Sequence, residues 1–244
     1  MLPVDEPSLT SDLIGERHAR LVARLRQAAE GSGRDPDAFR LVAVTKGFSA
    51  DVVRLALEAG LRRFGENRVQ EALPKVAAAP DADWHLVGHL QSNKARPAIG
   101  AFAWLHSVDD LGLLARLEAI AHDTDRHPDL LLQVNVNREA TRSGFDADWF
   151  AAQAEHQGEL VAAIQGLRHA RLRGLMTMAP AGASDEEARA TFRQLRDLRD
   201  RLEASLGAPL PELSMGMTAD AEAAVAEGAT IVRIGTALFG PRPD

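Results

Sequence analysis

Lys46 closes the apolar run Leu41-Val42-Ala43-Val44-Thr45, and two glycine-bearing segments, Ser214-Met215-Gly216-Met217 and Arg233-Ile234-Gly235-Thr236, stand near the other end of the chain. A lysine lifted out of an apolar strand can condense with a carbonyl, and glycine-containing strand ends can hold a phosphate through backbone N–H groups. Together they call for a ligand that is both an aldehyde and a phosphate ester. Pyridoxal 5'-phosphate is that molecule. Each element alone has an ordinary explanation: a solvated charge for the lysine, a turn for each glycine. Their order along the chain is what connects them.

Those residues need elements to position them. Short apolar runs recur near 41–46, 63–66, 84–88, 103–108, 130–136, 172–178, 210–215 and 231–234. Helical patterns at 68–78, 93–99, 110–122, 146–157, 185–205 and 219–227 separate most of them, and alternation of this kind predicts a parallel sheet. A further helix, within about 8–33, opens after Ser8 or Thr10, repeats Leu13, Ile14, Leu21, Val22 and Leu25 at helical spacing, and ends at Gly31-Ser32-Gly33. Eight strand–helix pairs in a chain of this length predict an α/β fold of the TIM (β/α)8 barrel type, typically about 250 residues. The expected organisation is a single domain over 1–244, with the barrel at about 40–240. A doubly wound sheet usually carries fewer strands, and Lys46-Gly47-Phe48-Ser49 stands where a dinucleotide glycine fingerprint would follow the first strand. In a TIM barrel the chemistry gathers at the C-terminal strand ends, with a phosphate site common after strands seven and eight. Closure makes the first and last strands neighbours, so Lys46 and the two glycine segments would share one mouth.

Composition narrows the function. A net charge of −7 argues against broad nucleic-acid or anionic-membrane binding, while leaving room for a local anion site. The sequence has no cysteine, which excludes disulfides, thiolate metal sites and cysteine nucleophiles, and it has no tyrosine. Residues 1–7 lack the pattern of a secretory signal, and no apolar run approaches a membrane span, so a cytoplasmic location is expected.

The residues also carry a family pattern. The runs Ala43-Val44-Thr45-Lys46, Phe64-Gly65-Glu66-Asn67-Arg68-Val69-Gln70-Glu71, Trp84 to Lys94, Ser107-Val108-Asp109 and Leu131 to Asn135 resemble those of the YggS/PROSC pyridoxal-phosphate homeostasis proteins. So do Arg173-Gly174-Leu175-Met176, Leu213 to Met217 and Val232 to Gly240, in order over about 41–240. The resemblance implies a barrel like the N-terminal domain of alanine racemase, binding pyridoxal phosphate as an aldimine on Lys46. It further implies that Arg233 faces the pyridine nitrogen, that Ser214, Met215, Gly235 and Thr236 surround the phosphate, and that Asn67 lies near the ring. The implied role is to store, buffer or hand over the cofactor without turnover, with apo pyridoxal-phosphate enzymes as candidate recipients and a monomer as the working form. Two departures stand out: Arg142 where many members carry a lysine, and Gly47-Phe48 after the reactive lysine.

An arginine at the ring nitrogen would donate to it and disfavour its protonation, making the ring a weaker electron sink. Burial at a strand end would lower the Lys46 pKa and favour the neutral amine. The competing function is an amino-acid racemase on the same barrel. Alanine-type racemases draw a second base from a tyrosine in an added β-domain, and related decarboxylases use a cysteine there. The chain has neither residue, and no C-terminal β-domain is expected after Gly240.

Other signals read more plainly. His85 and His89 have the spacing of a zinc helix but lie on a predicted strand, where that spacing separates side chains by about 13 Å. His85 is expected to pack at the barrel mouth. The arginines of 189–201 alternate with acids and read as a solvated face. Glu66 and Asn67 could cap the helix after the second strand, and Trp84, Phe102 and Trp104 read as core.

Overall fold

The computed structural model describes residues 9–242. Its strands in chain order are β1 (Arg40–Val44), β2 (Arg63–Glu66), β3 (Asp83–Leu86), β4 (Trp104–Val108), β5 (Asp129–Asn135), β6 (Phe145–Asp146), β7 (Arg171–Met176), β8 (Glu212–Ser214) and β9 (Ile231–Ile234). Eight of them run parallel in the order β4-β3-β2-β1-β9-β8-β7-β5, and β4 pairs with β5 to close the barrel. The two-residue β6 extends β5 outside the ring. The helices are α1 (Ser11–Gly31), α2 (Ala50–Glu58), α3 (Val69–Ala78), α4 (Ala95–Ala101), α5 (Leu111–Thr124), α6 (Ala147–Glu155), α7 (Glu159–Gln165), α8 (Asp185–Leu206), α9 (Ala221–Ala226) and α10 (Thr236–Phe239). This is the TIM barrel with an added N-terminal helix that the strand–helix alternation predicts.

Local chemistry explains the main boundaries. Thr10 caps α1 by accepting from the Leu13 N–H, while the alternative start at Ser8 and the leader reading of residues 1–7 lie outside the described residues. Ile14, Leu21, Leu25 and Ala29 form the buried stripe of α1, which packs on α9, α10 and α2. Ser184 and Glu187 make a reciprocal capping box at the start of α8, and Gly207 ends it in the left-handed conformation. The outer face of α8 is laced with Arg189–Asp185 and Arg193–Glu186 pairs at 2.6 and 3.0 Å, so these arginines are engaged by carboxylates. Trp84, Phe102 and Trp104 are buried.

Strand alternation fills the barrel. Val42, Trp104, Leu131, Met176 and Ile231 form an inner cluster, whereas Ala43, Phe64, Leu105, Leu132 and Val232 belong to the larger core beneath the helices. Every second residue of a strand therefore faces the interior. Between β5 and β7 the register shifts, pairing Leu130 with Leu172 but Leu131 with Gly174. Such a shift leaves one residue unpaired and locally increases twist.

Gly174 marks that bulge, and a Cβ there would overlap the Glu212 backbone on β8. Gly174→Ala should lower the unfolding free energy by about 3 kcal/mol or more, because the clash is with backbone rather than a movable side chain. Gly100→Ala, in α4 with open space around it, should instead stabilise by about 0.5 kcal/mol. Urea unfolding of the two variants checks the contrast, and equal midpoints would remove the packing argument for the bulge.

Candidate functional site

The inward alternation of β1 runs through Arg40, Val42 and Val44 and continues to Lys46, two residues past the strand end. Lys46 thereby enters a cavity of about 300 Å3 at the C-terminal mouth of the barrel. Gly47 follows at φ +77, and the Arg242 side chain packs against it; a Cβ would stand 3.0 Å from Arg242 Cδ. The glycine thus turns the chain away and admits the C-terminal segment to the cavity rim. The Lys46 amine is held below the ordinary lysine range by burial first, then by the Arg242 and Arg233 charges, with Glu66 opposing them.

Arg233 comes from β9, which pairs with β1 so that Val42 stands beside it. It is 4% exposed, donates from one terminal nitrogen to Ser214 Oγ at 2.6 Å and from the other to the Thr177 carbonyl at 2.9 Å. Burial lowers its pKa to about 10, so the guanidinium remains charged at neutral pH. Gly235 and Thr236 follow at the start of α10 and line the same cavity. First-turn N–H groups have no acceptor within their own helix. One of them, on Ala237, reaches Thr218 Oγ1 at 3.4 Å, and Thr218 is itself part of the wall.

Asn67 lies on the wall just past β2, pressed so closely by Gly88 that any side chain there would overlap its backbone. Ser214 and Met215 do not line the cavity. The Ser214 hydroxyl is buried against Arg233 and His106, and Met215 is fully buried in the outer core. Alternation accounts for both positions: Ser214 faces inward one layer below the mouth, and Met215 faces the helices. Met217, Thr218, Met178, Val87 and Arg242 complete much of the wall. Met217, Val87 and Met178 fall within segments marked out in the sequence, though none was assigned to the site, and inward parity extended past the ends of β3 and β7 is the signal that points to Val87 and Met178; Thr218 and Arg242 lie in irregular segments.

Beneath Lys46 lies a buried ion pair. Lys75 Nζ donates to Glu66 Oε1 at 2.6 Å and to the Thr45 carbonyl at 2.8 Å, and Thr45 Oγ1 donates to the same carboxylate at 2.6 Å. Glu66 is 0% exposed. The capping role considered for Glu66 is therefore incorrect: its carboxylate is buried between the barrel and α3, where it meets Lys75, and Arg68 occupies the N-cap of α3 without a side-chain cap bond. His85 also departs from expectation, standing inside the barrel between His106 and Asp83. Arg142 donates to the Met178 carbonyl at 2.5 Å and pairs with Glu139 at 2.8 Å, tying the loop after β5 to the cavity wall.

Fold and cavity define a barrel of the alanine racemase N-terminal-domain type, and the family model of that name matches residues 19–243. Relatives closer in sequence are more specific. A pyridoxal phosphate homeostasis protein of Pseudomonas aeruginosa is 46% identical over 94% of this chain and 96% of its own length. Structures of PipY from Synechococcus elongatus, without and with PLP bound, superpose with TM-scores of 0.82 and 0.79 at 42% and 41% identity, each covering 93% of this chain and 100% of that one. The chain belongs to the pyridoxal phosphate homeostasis protein family. Alanine racemase of Corynebacterium glutamicum shares the fold at 18% identity and TM-score 0.71, with 97% of this chain matching 63% of the racemase.

The buried pair generates a prediction. Lys75→Met leaves the Glu66 carboxylate buried without its cation and should cost about 3–5 kcal/mol. The double variant Glu66→Gln/Lys75→Met should cost clearly less than Lys75→Met alone. Denaturant unfolding of the single and double variants measures the coupling, and simple additivity would show that the two residues do not act as a pair.

Proposed function

We propose that this protein binds pyridoxal 5'-phosphate in the barrel mouth and acts in homeostasis of that cofactor as a carrier or regulator, without turnover of its own. The observation that carries the reading is the charge of the cavity. Its wall holds Lys46, Arg233 and Arg242 and, among the described residues, no carboxylate, in a chain whose net charge is −7. The donor set suits an anionic, carbonyl-bearing ligand with a ring acceptor, and the PLP-bound PipY structure and the names of the relatives point the same way. Pyridoxal phosphate supplies an aldehyde that condenses with an amine, and a ring that draws electrons when its nitrogen is protonated.

The residues divide the work. Lys46 is the amine, and burial followed by the neighbouring cations lowers its pKa and so favours the neutral, nucleophilic form. The chain has three lysines; Lys75 is consumed by Glu66, and Lys94 lies in an adjoining groove with Arg68 and His89. Arg233 donates to the ring nitrogen and withholds a proton from it, since its own charge persists at neutral pH. Gly235 and Thr236, with Thr218, supply backbone N–H and hydroxyl donors for the phosphate, and Asn67 borders the ring. Ser214 and Met215 support this site from below and behind rather than touching the phosphate.

Absence of a second base favours the carrier over the racemase. Among the described wall residues there is no histidine, aspartate, glutamate, tyrosine or cysteine, so Lys46 is the one group placed to move a proton. Arg233 alone does not decide the matter, because racemases of this fold also place an arginine at the ring nitrogen. Apo pyridoxal-phosphate enzymes are the recipients this reading implies, with the protein working as a cytoplasmic monomer; no described helix is long and apolar enough to cross a membrane.

Borohydride reduction of the cofactor-loaded protein, followed by peptide mapping, should place the phosphopyridoxyl group on Lys46, and Lys46→Ala should abolish the near-visible absorbance. An adduct on Lys94 or Lys75 would sink the assignment. Arg233→Ala and Thr236→Ala should each raise the dissociation constant about tenfold or more, since each removes a donor to a charged or strongly polar ligand atom. The loaded protein should transfer cofactor to an apoenzyme while a chiral assay over common amino acids shows no turnover; rates of about 1 s⁻¹ or faster, within the enzyme range, would establish the racemase instead.

A further inference from the structure

A chain of polar side chains crosses the barrel interior below the cavity. Arg233 donates to Ser214 Oγ at 2.6 Å, and that oxygen lies 2.9 Å from His106 Nδ1. His106 Nε2 lies 2.9 Å from His85 Nδ1, and His85 Nε2, which makes no aligned hydrogen bond, faces the Asp83 carboxylate with Oδ2 3.3 Å away. Ser214, His106 and His85 are buried, whereas the Asp83 side chain is 37% exposed at the N-terminal end of β3. The chain therefore leads from the cavity floor to the opposite end of the barrel. Trp104 stacks on His85 with ring centres 5.5 Å apart, and Arg40 lies over Trp104.

Donor and acceptor counting fixes the direction of this chain. Asp83 is ionised: burial pushes its carboxyl up, but the close approach of His85, together with Arg63 and Arg40, outweighs burial and holds it below its usual range. His85 Nε2 must then carry the hydrogen, which leaves His85 Nδ1 to accept from His106 Nε2–H. His106 Nδ1 in turn accepts from the Ser214 hydroxyl, whose lone pairs are left for Arg233. The three hydrogen bonds from Arg233 to His85 then each have one donor and one acceptor, and the His85 Nε2–H points its positive end at the Asp83 carboxylate. In the reverse direction a bare histidine nitrogen would face the Asp83 carboxylate and the serine hydrogen would lack this acceptor. A second proton on either ring would put donor against donor close to the Arg233 and Arg40 charges, and burial pushes both imidazoles down, His106 well below its ordinary value.

We propose that Ser214, His106 and His85 are positioning residues for Arg233: anchored on Asp83, they form a one-way hydrogen-bond chain that aims the guanidinium at the cavity. The chain and the Thr177 carbonyl occupy part of the five-donor guanidinium fork and leave the remaining N–H groups to the ligand. The ligand half of this inference rests on pyridoxal phosphate being bound; the internal half concerns the cofactor-free protein. Because its oxygen is engaged twice, Ser214 acts through Arg233 and not through the phosphate.

Nitrogen-15 NMR of the cofactor-free wild type should show the Nε2–H tautomer at both His85 and His106, and Arg233 side-chain N–H signals protected from exchange. Ser214→Ala should lose that protection, raise the pyridoxal phosphate dissociation constant about tenfold, and shift the absorbance band of the bound cofactor; Ser214→Thr, which keeps the hydroxyl, should restore all three. An Nδ1–H tautomer at either histidine overturns the proposal even if the variants fail to fold. So does Ser214→Ala with unchanged Arg233 exchange, affinity and spectrum. If the wild type takes up no cofactor, the proposed function fails, while the tautomers and the Arg233 exchange still judge the chain.

Discussion

The hydrogen-bonded register between the first and last barrel strands, with Val42 against Arg233 and Ala43 against Ile234, closes the barrel and sets which side chains reach its mouth. Strand side chains alternate, so a slip of one residue would turn Arg233 toward the helices and Val232 into the interior. Lys46 and Arg233 come from opposite ends of the chain, and only closure brings them to one cavity. The same closure removes the exposed sheet edges that an open arrangement would carry. Stability and chemistry therefore draw on one set of backbone hydrogen bonds.

Interior electrostatics follow from that geometry. The cavity is positive inside a negatively charged chain, which favours local capture of an anion without the broad basic surface that would gather nucleic acid. Two buried networks support it from different sides. Lys75 and Glu66 neutralise each other behind Thr45 and hold the strand end that presents Lys46, while Glu66 moderates the lowering of the Lys46 pKa. The neutral histidines beneath Arg233 accept and pass on hydrogen bonds without adding charge to the floor. A buried cation is thereby oriented by dipoles and has, among the described residues, no directly paired carboxylate, so its charge remains directed at the cavity.

The barrel was legible because its eight inner strands are short apolar runs separated mostly by helices long enough to show a periodic face. Elements without such a signal escaped. The helix Glu159–Gln165 is seven residues long and opens after Gly158 with no side-chain cap, Thr236–Phe239 is a single turn between two glycines, and Phe145–Asp146 is too short to carry alternation. In the site, Lys46, Arg233, Gly235 and Thr236 were visible as strand-end residues and Asn67 through the family resemblance, and all five line one cavity. Ser214 looked equivalent, yet it sits one layer lower, and sequence does not report depth within a barrel. A local cap stood open as a role for Glu66 because its partner Lys75 lies two turns along the next helix, a contact that no local pattern encodes. Arg242 and Thr218 were missed because they sit in irregular segments whose approach to the mouth depends on tertiary turns.

The choice of cation across the molecule has a chemical consequence of its own. Of 28 lysines and arginines only three are lysines, and the many surface ion pairs, such as those along Asp185–Leu206, are made by guanidinium groups. A guanidinium binds carboxylates well but stays protonated, so it offers no free electron pair to a carbonyl carbon. A protein charged in this way can meet a free aldehyde in solution with little adventitious labelling of its surface. Chemoselectivity, usually credited to the reactive residue, is here also a property of everything around it that cannot react.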